Sequence, residues 1–140
     1  MNPQVCLLTT EQVSQYWERI EWRIDATPQL ERFYTKEDMI DKVCKSEMQI
    51  WTAGDDLVLA TVVLVTPVGK VLQIVWAHGT GIMLYWEELK EKFHRYAWFA
   101  QCKKIEVLGR PGWTKRFLNE GGFRIEYVAY SCDVLKPVMH

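Results

Sequence analysis

A chain of 140 residues and 16.5 kDa has the length of one domain, by the prior of roughly 100–200 residues per domain. At that size it buries roughly 68% of its extended surface, enough for a core without staples. Hydrophobic residues at 49% and charged residues at 25% exclude disorder and collagen-like repeats, and a net charge of −1 removes the case for non-specific nucleic-acid binding.

No apolar run approaches the roughly 20 residues that span a bilayer, and the first residues, MNPQVCLLTTEQ, carry no signal-peptide pattern. Cys6, Cys44, Cys102 and Cys132 fit neither a zinc spacing nor a dense disulfide framework. The expectation is free thiols, a cytoplasmic setting and no metal site. Charge is distributed unevenly. Residues 1–89 hold 7 basic and 13 acidic side chains, residues 90–124 hold 9 and 3. The basic stretch suits either a phosphate-bearing ligand or simple solubility.

In chain order, Val5–Leu8 reads as a short strand. Thr9 with Gln12 forms a capping-box pattern opening a helix whose apolar side holds Val13, Tyr16, Trp17, Ile20 and Ile24, and which Pro28 stops. Thr35 with Asp38 opens a second helix through Met39, Ile40, Val43 and Cys44. Three strands follow as an antiparallel meander: Gln49–Thr52, then Leu57–Thr66 after the turn Gly54-Asp55-Asp56, then Val71–Trp76 after Pro67–Lys70. The apolar run of the middle strand predicts cover on both faces. Gly79-Thr80-Gly81 leads into a helix from Ile82 to Gln101, with Leu89, Phe93, Tyr96, Ala97 and Ala100 on its buried side. Lys104–Leu108 is a strand, Trp113–Asn119 a short helix ended by Gly121-Gly122, and Phe123–Leu135 a final strand. The order is β-α-α-β-β-β-α-β-α-β, an α/β domain over residues 1–140 with a mixed sheet and helices on both faces.

That order, with a glycine pair between a meander and a long helix, resembles the GNAT acyltransferase fold. So does FLNEGGF, Phe117–Phe123, which is similar to the helix-to-strand ending of GNAT proteins. The stretch IEVLGRPGWTKRFLNEGGF is most similar to small bacteriophage-encoded members, which places the protein in a host cytoplasm or a virion. The resemblance implies acetyl-CoA as acyl donor and an unidentified amine or protein as acceptor. In GNAT proteins a Gln or Arg, two residues, Gly, one residue, then Gly or Ala wraps the cofactor's pyrophosphate. Here the segment is Trp76-Ala77-His78-Gly79-Thr80-Gly81, with both glycines present and Trp76 in place of the Gln or Arg. A helix N-terminus beside such glycines suits an anion; a tight turn alone is the other reading. Arg110 and Lys115 are candidates for the ribose phosphate.

Two departures stand out. The Tyr that GNAT enzymes often use as general acid is replaced by Leu118, and the strand Val71–Trp76 has no carboxylate to act as base. His78 is the nearby group with a suitable unperturbed pKa, as a base or as a structural residue. Tyr130 is a substitute acid or a core aromatic. The chain therefore reads as an N-acetyltransferase of unknown acceptor or as a catalytically inactive GNAT-like protein acting through protein contacts.

Overall fold

The computed structural model describes residues 4–28, 30, 33–108, 124, 132–134 and 137. Contacts divide the chain into Met1–Gly109 and Arg110–His140, and the architecture below is that of the first unit. Its elements run β1 (Val5–Leu7), α1 (Thr10–Gln15), α2 (Trp17–Asp25), α3 (Lys36–Cys44), β2 (Met48–Ala53), β3 (Leu57–Thr66), β4 (Gly69–His78), α4 (Trp86–Phe99) and β5 (Cys102–Val107).

Both capping boxes form. Thr9 Oγ1 accepts from the Gln12 N–H at 3.1 Å and Gln12 Oε1 from the Thr9 N–H at 2.9 Å; Thr35 and Asp38 do the same at 3.1 Å each way. Each box satisfies donors that a helix start leaves unpaired. The first helix differs from expectation. It breaks at Tyr16 into α1 and α2, and Tyr16 is 41% exposed with the Arg19 guanidinium 5.6 Å from its ring centre. An aromatic that finds a cationic partner at the surface need not join the buried stripe.

The sheet order is β1-β2-β3-β4-β5. The first four strands pair antiparallel and β5 joins β4 in parallel. Because successive side chains of a strand point to opposite faces, β2 and β3 supply two cores. Met48, Ile50, Val58, Ala60 and Val62 pack with Val13, Ile20, Ile24, Met39 and Val43 of the first three helices. On the opposite face Trp51 meets Phe93 of α4 edge-on at 5.0 Å and Tyr96 at 5.8 Å. A relay closes the polar groups of that second layer: Trp51 Nε1 donates to Thr61 Oγ1 at 2.9 Å, and the Thr61 hydroxyl to Gln49 Oε1 at 2.8 Å. Leu57–Val62 are buried, as the apolar run predicts, while Leu64 and Val65 emerge.

Two expectations are corrected. α4 starts at Trp86, not Ile82, so a turn separates it from the glycine pair. Of the last strand expected over Phe123–Leu135, Arg124 and Cys132–Val134 are in no strand, and Val134 is 97% exposed. The Trp113–Asn119 helix and the remainder of that strand lie outside the described residues.

Candidate functional site

β4 carries a bulge near its C-terminal end. Its register with β3 pairs Ala60 with Trp76 and Thr61 with Ile74, so Val75 is an extra residue, a bulge that re-aims a strand and ends regular pairing. Pairing with β5 runs from Lys70–Cys102 to Ile74–Val107 and closes with the Leu108 N–H on the Ile74 carbonyl at 2.9 Å. β4 continues through Val75–His78 with β3 as its strand neighbour among the described residues.

One carboxylate stands near the end of this pairing. Glu106 of β5 pairs in register with Gln73 of β4, and Gln73 Nε2 lies 3.5 Å from Glu106 Oε2. The sequence reading looked for a carboxylate on β4 and found none; the parallel neighbour supplies it. Only knowledge of the pairing brings the two strands together.

Beyond β4 comes the glycine loop. Gly79 has φ +122° and Gly81 φ +87°, a region disfavoured for side-chain-bearing residues. At Gly79 a Cβ would lie 1.8 Å from the Asp56 carbonyl oxygen, so the loop packs backbone-to-backbone on the turn before β3. Thr80 is anchored to the same turn: its N–H and hydroxyl both donate to Asp56 Oδ2, at 3.0 and 2.8 Å. The Asp56 carboxyl is held below the ordinary carboxylate range, first by the Thr80 hydroxyl and then by Arg23. The N–H groups of Gly79 and Gly81 make no hydrogen bond among the described residues.

Arg23 joins these parts and was missed in the sequence. It is 5% exposed, and its guanidinium donates to the Asp56 carbonyl at 2.5 Å, to Asp56 Oδ1 at 3.1 Å and to the His78 carbonyl at 3.2 Å. It also lies 3.2 Å from His78 Nδ1. Trp22 packs edge-on against the same imidazole at 5.3 Å. The available signal was an arginine inside the apolar stripe Ile20–Arg23–Ile24–Thr27, where a charge is buried only with partners.

The structure thus brings His78, Gly79, Thr80 and Gly81 together at the end of β4. Arg110, Lys115, Leu118 and Tyr130 lie outside the described residues. Cys6, Cys44 and Cys132 are exposed and Cys102 half-buried, its thiol pushed up by burial. Among the described residues no three His, Cys, Asp or Glu side chains gather as a metal site, and no helix is long and apolar enough to cross a membrane.

No family model matches the sequence, and no curated protein matches it. Solved structures do. An aminoglycoside acetyltransferase from an uncultured soil metagenomic sample, in complex with trehalose, is similar at TM-score 0.67 and 11% identity, over 94% of this chain and 95% of that one. A probable acetyltransferase is similar at 0.66 and 11%, over 97% and 100%. A ribosomal-protein-alanine N-acetyltransferase from Brucella melitensis biovar Abortus 2308 gives 0.61 and 12%, over 93% and 99%. At these identities the likeness speaks to fold, and the fold is the mixed α/β fold of the GNAT acetyltransferases.

Proposed function

We propose that the chain is an N-acyltransferase that moves an acetyl group from acetyl-CoA to an amine. The observation that carries this is the end of β4: past the bulge at Val75 the strand runs directly into a loop with two glycines at positive φ. The N–H groups of Gly79 and Gly81, which make no hydrogen bond among the described residues, suit the pyrophosphate, with Arg110 and Lys115 meeting the ribose phosphate. The neighbours' coverage of this chain supports one domain over residues 1–140. The resemblance of the stretch from Ile105 to Phe123 to phage-encoded proteins supports a host-cytoplasmic or virion setting.

In this reading the amine nitrogen attacks the thioester carbonyl carbon while a backbone N–H at the C-terminal end of β4 polarises the carbonyl oxygen. The carbon–sulfur bond breaks and CoA leaves as a thiolate. Two groups are candidates to take the amine proton. Glu106 brings a carboxylate to Gln73 of β4; His78 has Nδ1 beside the Arg23 guanidinium at 3.2 Å. A carboxylate beside the strand suits the base better than an imidazole next to a cation, so the assignment favours Glu106. With Leu118 at the usual acid position, Tyr130 or water returns a proton to the thiolate.

The test is release of free thiol from acetyl-CoA with a panel of amines and small proteins as acceptors. Acceptor-dependent release that falls in Glu106→Gln supports the reading. Background release with every acceptor, in a protein that still binds CoA, favours a role through protein contacts.

A further inference from the structure

We propose that Arg23 and Asp56 form a positioning clamp that sets the affinity of the glycine loop for the diphosphate of the acyl donor, with Thr80 as the anchored point rather than a phosphate ligand. This rests on the acyltransferase reading and goes beyond it. Thr80 sits between the two glycines, yet its N–H and hydroxyl are both spent on Asp56 Oδ2. The other carboxylate oxygen is held by Arg23 at 3.1 Å. Arg23 also grips the carbonyls of Asp56 and His78, so one buried guanidinium ties the turn before β3 to the end of β4. The loop is fixed at its base and at its middle residue, and the N–H groups on either side of Thr80 are the ones left for a ligand. A flexible glycine loop would lose conformational entropy on binding. A clamped one has lost it already. The Asp56 charge is offset by Arg23, so the carboxylate fixes the loop without presenting an unbalanced negative charge to the phosphates.

The experiment measures CoA binding by calorimetry and KM for two acyl donors, acetyl-CoA and S-acetylpantetheine, which lacks the diphosphate. In Asp56→Asn a single neutral oxygen remains to accept, so the side chain cannot hold Thr80 and Arg23 together as the carboxylate does. The expected result is about a tenfold or larger rise in the CoA Kd and the acetyl-CoA KM, the scale of one lost charge-assisted hydrogen bond, with the S-acetylpantetheine KM within about twofold of wild type. Thr80→Val reproduces the direction and Thr80→Ser restores wild-type affinity. Amide exchange at Thr80 quickens in Asp56→Asn. Unchanged CoA affinity in a folded Asp56→Asn variant overturns the clamp. So does tighter binding, which would make Asp56 a competitor of the phosphates, and so does a parallel rise of both KM values. Failure of wild type to bind CoA overturns the acyltransferase reading itself and is distinct from all three.

Discussion

From Lys70 to Ile74, β4 has β3 on one side and β5 on the other; from Val75 to His78, β3 is its strand neighbour among the described residues. Both halves are largely apolar and buried, with Leu72 at 0% and Val75 at 8% exposed. The second half is also tied to α2 and the residues just after it: Trp76 Nε1 donates to Thr27 Oγ1 at 3.2 Å, Thr27 in turn donates to the Arg23 carbonyl at 2.9 Å, and Arg23 holds the His78 carbonyl. Side chains from that segment hold the strand end that leads into the glycine loop.

The comparison breaks most visibly in catalysis. Glu106→Gln should lower acetyl transfer by about 10²–10⁴-fold, the usual contribution of one positioned base, with the melting temperature nearly unchanged; steady-state kinetics beside thermal denaturation checks both. His78→Ala should cost less turnover than Glu106→Gln.

Stability then separates the two halves. Leu72→Ala, in the doubly paired half, should cost about 2–5 kcal/mol, read by urea denaturation. Val75→Ala at the bulge should cost about 1 kcal/mol, since the smaller side chain leaves a smaller void. Paired urea curves on the two variants give the order.

The two glycines sharpen the same contrast. Gly81→Ala should cost about 1–3 kcal/mol of backbone strain, because a Cβ there meets Tyr85 at an ordinary 3.5 Å. Gly79→Ala should cost more, since its Cβ would overlap the Asp56 carbonyl. Paired denaturation curves give the order.

The smallest effect is the response to acid. The Asp56 carboxyl titrates below its ordinary range when folded, through Thr80 first and Arg23 second. A depressed folded pKa adds stability that is present above the unfolded value and is lost as pH falls through the folded one. The melting temperature should therefore fall between about pH 5 and pH 3, and less steeply in Asp56→Asn. Glu88, lowered chiefly by the Val5 N–H, and Asp38, lowered by Thr35, keep the slope from vanishing.

Much of the scaffold was legible because its signals are local. The Thr9 and Thr35 caps, the meander with β3 at Leu57–Thr66 and the buried face Leu89–Phe93–Ala97 follow from spacing within a few residues. The start of α4 was misplaced because apolar residues continue from Ile82 through Trp86, and periodicity does not distinguish a turn from a first helical turn. The site was half legible. His78, Gly79 and Gly81 lie within four positions of one another. Arg23 and Asp56 reach them only through tertiary packing, from α2 and from the turn before β3, and Glu106 meets Gln73 of β4 from a parallel strand about thirty residues along the chain. Long-range partners of that kind leave no local pattern beyond an arginine placed where an apolar residue belongs.

The most direct test of the central claim is calorimetric titration of the purified protein with CoA, comparing wild type with Gly81→Ala. The account predicts one CoA site per chain in wild type and an affinity weakened about tenfold or more when a side chain crowds the loop N–H groups, the scale of one strong hydrogen bond. No heat with CoA in the folded wild-type protein, or equal affinity in the two, would contradict it.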